Sequence, residues 1–73
     1  MQIIYTRHAR FRMTQKGISE DMIEETLRKP NSDFPSYGKR IARKTLGHKT
    51  VDVVYLATRN GYLIITTYWL LED

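Results

Sequence analysis

Cysteine is absent from this 73-residue chain. The chain therefore forms no disulfide, offers no thiolate nucleophile and cannot bind zinc through cysteine. Two histidines make a poor metal site, so we expect neither a metal nor another cofactor. The length predicts one domain over residues 1–73, with a thin core of one sheet and one layer of helix. Small domains of this kind often gain stability by pairing, so a homodimer is one expectation.

Long apolar runs are also missing. No stretch reaches the roughly 18 residues that a membrane span needs. The first five residues, Met-Gln-Ile-Ile-Tyr, lack the basic segment and long apolar segment of a signal peptide. We therefore expect a soluble protein of the cytoplasm, with no membrane partner.

Acidic residues are scarce in two segments of the chain. Residues 1–16 hold four cations and no acid, and residues 39–49 hold five cations and no acid. Residues 20–25 hold four of the eight acids, in a chain of net charge +4. Two basic segments around an acidic one predict a polyanion site on one side of the fold, with solvated surface charge as the alternative. The cations expected to contact nucleic acid are Arg7, Arg10, Arg40, Arg43 and Lys49.

Local signals predict the element order β-α-α-β-β-β. A short apolar strand leads to Thr6, which can cap a helix through about Gln15 that Gly17 closes. Ser19 starts a second helix, and Pro30 ends it.

The second half of the chain is predicted to be strands. Residues 31–36 are expected to form a turn-rich connector, followed by strands over about 37–46, 50–58 and 62–70. Gly47-His48 and Asn60-Gly61 are the predicted hairpin turns. The whole chain then has an α+β fold, with two N-terminal helices on one face of a twisted antiparallel sheet.

The first predicted helix carries a specific sequence motif, HARFRM at residues 8–13, followed by GIS at residues 17–19. On these residues the chain resembles the small HAxxRM…GI family. That family is similar in element order to the BrnT-type and RelE/ParE-like toxins of bacterial toxin–antitoxin pairs. The chain departs from the family pattern at Lys16, where arginine is usual; the charge is kept, but a bidentate phosphate contact would be lost.

The resemblance implies a RelE-like fold and a metal-independent ribonuclease that an antitoxin protein neutralises, although ParE-type members act on gyrase instead. The expected substrate is RNA, either free or on the ribosome. Two alternatives stay open. One is a non-catalytic nucleic-acid-binding module. The other is a toxin-like protein-interaction domain that uses an apolar C-terminal surface of Trp69, Leu70 and Leu71.

Metal-free RNA cleavage needs a proton carrier and cations around the phosphate. His8 is the best acid or base, and Arg12, four residues later on the same helix face, can bind the phosphate. Tyr68 could donate a proton or stack on a base. The predicted catalytic set is His8, Arg12, Lys44 and Tyr68. A structural role is the alternative for His8, and a place in the core is the alternative for Tyr68.

The basic strand presents two pairs of cations. Arg40 and Lys44 share one face, and Lys39 and Arg43 share the other. Period-two alternation does not decide which pair faces the substrate. We choose Arg40 and Lys44, with Arg43 extending around Ile41; protection of a sheet edge is the alternative role.

Overall fold

The computed structural model describes residues 2–71, which form two helices and five strands. In chain order the elements are β1 (Gln2–Tyr5), α1 (Arg7–Lys16), α2 (Glu20–Arg28), β2 (Ser32–Ser36), β3 (Lys39–Leu46), β4 (Lys49–Thr58) and β5 (Gly61–Trp69). The predicted α+β class is confirmed. Within these residues, no helix combines the length and the apolar character that crossing a membrane requires.

The strands form one mixed sheet in the order β1-β5-β4-β3-β2. β2 to β5 are antiparallel neighbours, whereas β1 runs parallel to β5. The expectation of a purely antiparallel sheet was therefore wrong. The two helices carry the chain from one sheet edge to the other, so the first strand ends up beside the last one.

β2 was missed in the sequence, where residues 31–36 were expected to form a connector. The strand lies at the sheet edge, where Pro35 is tolerated because its missing N–H breaks no central ladder. Phe34 lies opposite Ile41 in the register. Tyr37 and Gly38 both adopt positive φ (50° and 78°), which closes the tight hairpin between β2 and β3.

Gly61 was predicted to lie in a hairpin turn, but it is the first residue of β5. It pairs with Gln2 of β1, and a Cβ atom at this position would lie 1.8 Å from the Gln2 carbonyl oxygen. Glycine is therefore required at this position, because a larger residue would collide with the backbone of β1. The turn itself is one residue earlier, at residues 59–60.

One face of the sheet is covered by the helices and holds the core. Ala9 and Met13 of α1 and Ile23 and Leu27 of α2 contribute its helix side. The strands contribute alternate residues of this face, among them Ala42, Val51, Val53, Ile64 and Trp69. The intervening residues point to the other face, which no helix of residues 2–71 covers; we call it the open face.

Thr6 fixes where α1 begins. Its hydroxyl accepts a hydrogen bond from the Ala9 N–H at 3.0 Å and donates one to the Ile65 carbonyl at 2.9 Å. The first bond caps the helix, and the second attaches the cap to β5. At the other end, Gly17 adopts φ 69° and closes the helix as predicted.

Replacing Thr6 tests this attachment. We expect Thr6→Ala to lower the free energy of unfolding by about 1–2 kcal/mol, because the cap and the bond to Ile65 are lost together. Urea unfolding measures the change. Thr14→Ala is the matched control: Thr14 is exposed on the same helix, so its loss should leave stability unchanged or slightly raised. Equal destabilisation by both variants would contradict the anchoring role of Thr6.

Candidate functional site

A groove lies where α1 runs along the outer edge of β5. β1 pairs only with residues 61–64 of β5, so the rest of that edge lies beside α1 instead of a strand. The groove has a volume of about 380 Å³. It is lined by His8, Arg12, Lys16, Thr66, Tyr68 and Trp69. We call these residues the α1–β5 groove.

The α1 side of the groove is a stripe of one histidine and two cationic side chains. His8, Arg12 and Lys16 are each four residues apart, so they follow one face of the helix. The neighbouring stripe, Ala9 and Met13, is buried in the core and fixes the helix rotation. The described helix contains no acidic residue, so no carboxylate within α1 neutralises the stripe.

The β5 side of the groove is polar because side chains alternate along the strand. Thr66 and Tyr68 lie on the open face, whereas Thr67 and Trp69 are buried on the helix side. The Trp69 indole N–H donates to the Lys16 carbonyl at 2.8 Å. This bond holds the last turn of α1 against β5, so the groove has a fixed width at that end.

An ion pair between a buried carboxylate and a partly exposed guanidinium lies beside Tyr68 on the open face. The Asp52 side chain is fully buried and accepts two hydrogen bonds from Arg43, at 2.7 and 2.9 Å. Asp52 is also the register partner of Tyr68 on the neighbouring strand. Because the Asp52 carboxylate is buried, losing the two hydrogen bonds from Arg43 would be strongly destabilising.

The environment of Tyr68 keeps its phenol protonated. Burial raises the pKa of Tyr68, and the adjacent Asp52 carboxylate raises it further, while Arg43 acts in the opposite direction. Tyr68 therefore presents a neutral hydroxyl to the groove at physiological pH. Such a hydroxyl donates a hydrogen bond to an anion.

Lys44 does not share the groove. It pairs with Val51 in the register and lies on the helix side of the sheet, where its ammonium donates to the Lys29 carbonyl at 2.8 Å. Arg40 lies on the same side and binds the Asp33 carboxylate at 2.8 Å. The choice of Arg40 and Lys44 as the pair facing the same site as His8 was wrong. Ala42 shares the face of Arg40 and Lys44 and is fully buried, so this face of β3 is turned towards the helices. Arg43 lies on the opposite face and is the strand cation nearest to Tyr68.

The other predicted cations are spread over the molecule. Arg7 is exposed on α1 outside the groove lining, and Arg10 turns towards α2, where it pairs with Glu20. The Arg10 guanidinium also lies 4.1 Å from the centre of the Tyr5 ring. Lys49 lies over the Trp69 ring at 5.1 Å. Only Arg12 and Lys16 are cations of the groove lining itself.

The predicted apolar C-terminal surface is only partly exposed. Trp69 is 8% exposed and belongs to the core, because its ring packs under the end of α1. Leu70 is half-buried, whereas Leu71 is 93% exposed. The apolar surface that solvent reaches at this end therefore belongs to the two leucines, chiefly Leu71.

Three residues of the site were not among the predicted catalytic or binding residues. Lys16 was noted only as a departure from a family pattern, yet its spacing from Arg12 already placed it on the His8 stripe. Thr66 lies two residues before Tyr68, so period-two alternation already placed the two on the same face of the strand. Asp52 gave no sequence signal, because its partner Arg43 lies on another strand and the register that joins them is not visible in one sequence.

The groove combines an imidazole, two cations and two hydroxyls, which suits an oxyanion with a transferable proton nearby. Among residues 2–71, no group of three or more His, Cys, Asp or Glu side chains could hold a metal ion. Residues 5–69 match the family described as "Domain of unknown function (DUF4258)", and the chain belongs to that family. No curated protein and no solved structure matches the chain significantly.

The raised pKa of Tyr68 predicts a loss of stability in alkali. The folded protein holds the phenol proton more tightly than the unfolded chain does. The Tyr68 contribution is therefore complete below its ordinary pKa of 10.0 and is lost as the pH rises through the folded pKa. Urea midpoints are measured over about three pH units, from about pH 8 to about pH 11. They should fall less steeply with pH for Tyr68→Phe than for the wild type.

The matched control for this pH series is Tyr37→Phe. Tyr37 is 98% exposed, so its removal should leave the slope of stability against pH unchanged. Identical slopes for the wild type and both variants would contradict the proposed environment of Tyr68.

Proposed function

We propose that the chain is a toxin-like endoribonuclease that cleaves RNA through the 2′-hydroxyl, without a metal, in the α1–β5 groove. The observation that carries the proposal is the joint placement of His8, Arg12, Lys16 and Tyr68 around one cavity of about 380 Å³. A proton carrier, two cations and a neutral hydroxyl are the groups that a phosphodiester transfer requires.

Binding of the phosphate is assigned to the cations. Arg12 donates to Gln15 through one guanidinium nitrogen at 3.0 Å, which restrains the side chain along the helix while other N–H groups remain for a phosphate. Lys16 adds a second positive charge one turn away. Together they favour the extra negative charge that develops on the phosphoryl oxygens in the transition state.

Proton transfer is assigned to His8 and Tyr68. His8 removes the proton of the ribose 2′-hydroxyl, and the 2′-oxygen then forms a bond to phosphorus while the bond from phosphorus to the 5′-oxygen breaks. The 5′-oxygen receives a proton from Tyr68, whose phenol is far more acidic than an alcohol. The products are a 2′,3′-cyclic phosphate and a free 5′-hydroxyl.

Two substitutions test this assignment with purified protein and a short labelled RNA. His8→Ala should lower the cleavage rate about 100-fold or more, because the base is removed. Arg12→Gln should lower it about 100-fold, because transition-state charge loses its partner. Gel analysis of products measures the rates and detects the cyclic-phosphate end.

Two controls separate chemistry from folding and from general charge. Thr14→Ala alters α1 outside the groove lining, and Arg59→Gln removes one positive charge from the turn between β4 and β5. Both should cleave at the wild-type rate. Intact RNA with the wild-type protein, or undiminished cleavage by His8→Ala, would refute the proposal.

A second candidate is a non-catalytic nucleic-acid-binding module. The exposed position of His8 favours it, because in residues 2–71 the ring has no hydrogen-bonded carboxylate to orient it as a base. This function predicts RNA binding that weakens steeply with salt and is indifferent to His8→Ala. Cleaved products would exclude it.

The toxin part of the proposal is tested in cells. A ribonuclease of this kind would be paired with an antitoxin protein that covers the groove. Induced expression of the wild-type chain should stop growth and degrade RNA, whereas His8→Ala should be tolerated at equal protein level. Growth arrest by both proteins with intact RNA would instead favour the protein-interaction alternative, in which the exposed Leu71 makes the contact.

A further inference from the structure

A second cavity adjoins the α1–β5 groove at Trp69. It has a volume of about 310 Å³ and is lined by His48, Lys49, Thr50, Trp69, Leu70 and Leu71. Trp69 lines both cavities, and its indole is held by the hydrogen bond to the Lys16 carbonyl. We call this cavity the turn pocket, since His48 and Lys49 lie at the turn from β3 to β4.

The turn pocket differs in chemistry from the groove. Its polar side offers the His48 imidazole, the Lys49 ammonium and the Thr50 hydroxyl, which suit a phosphate or a sugar hydroxyl. Its other side consists of Trp69, Leu70 and Leu71. Leu71 is 93% exposed, so apolar surface is available to the face of a nucleobase.

We propose that the turn pocket binds the nucleotide next to the cleaved phosphodiester, so that the substrate is a single-stranded RNA passing across Trp69. The inference rests on the proposed function of the groove. It is carried by Trp69, which lines both cavities, and by the cation in each of them, Lys16 and Lys49. Single-stranded RNA fits because its unpaired bases expose their faces, whereas a duplex conceals them.

Trp69 also provides the means of detection, because it is the only tryptophan in the chain. Two probes are compared: a dinucleotide with one phosphodiester and a tetranucleotide. Both carry a 2′-deoxy sugar at the cleavage position, so that they bind without reacting. The tetranucleotide should bind at least about tenfold more tightly, because an apolar contact with a base and a further phosphate contact are added. It should also change Trp69 fluorescence more than the dinucleotide does.

Substitutions in the turn pocket identify the contact. The double variant His48→Ala with Lys49→Gln should lower tetranucleotide affinity about tenfold and reduce its dependence on salt by about one phosphate contact. Dinucleotide affinity should stay unchanged. Fluorescence anisotropy of labelled probes measures both affinities. Arg59→Gln is the matched control, because it removes one charge from the opposite end of strands β4 and β5.

The outcomes separate this inference from the function of the groove. Equal affinity for both probes, or equal losses with the double variant and Arg59→Gln, would overturn the turn pocket as a nucleotide site. If cleavage of a ribodinucleotide still requires His8, the function of the groove stands despite that result. If neither probe binds and no RNA is cleaved, the proposed function of the groove is refuted, and the inference about the turn pocket is refuted with it. Equally tight binding of a duplex probe would contradict the preference for single strands.

Discussion

Two side-chain hydrogen bonds attach α1 to the last strand, and the candidate site is built on that attachment. The Thr6 hydroxyl holds the start of the helix to Ile65, and the Trp69 indole holds its end through the Lys16 carbonyl. Both bonds join residues more than 50 positions apart in the chain. They set the distance between the basic stripe of α1 and the hydroxyls of β5, so the groove exists only in the folded domain.

The open face of the sheet contains the ion pair between Arg43 and Asp52. A thin domain has little interior in which to bury a charge, yet Asp52 is fully buried there with two hydrogen bonds from Arg43. Such a pair is costly to desolvate and adds little net stability by itself. It lies across from Tyr68, where burial first and then the Asp52 carboxylate raise the pKa of the phenol.

Local signals in the sequence predicted much of the fold, whereas contacts between strands were not accessible from it. The helix caps at Thr6 and Ser19 and the closing residue Gly17 are set by nearby atoms, and all three are confirmed. The edge strand β2 was missed because Pro35 argues against a strand unless its edge position is known. Lys44 was placed wrongly because alternation gives two faces without saying which one the helices cover.

A nuclear magnetic resonance titration of the folded chain with a 2′-deoxy dinucleotide tests whether a phosphodiester binds in the α1–β5 groove. We expect the largest shift changes at the groove residues, with no more than small changes across the helix side of the sheet. These groove residues are His8, Arg12, Thr66 and Tyr68. Changes centred on Lys44, or shifts absent from the α1–β5 groove while the nucleotide is bound elsewhere, would contradict this expectation.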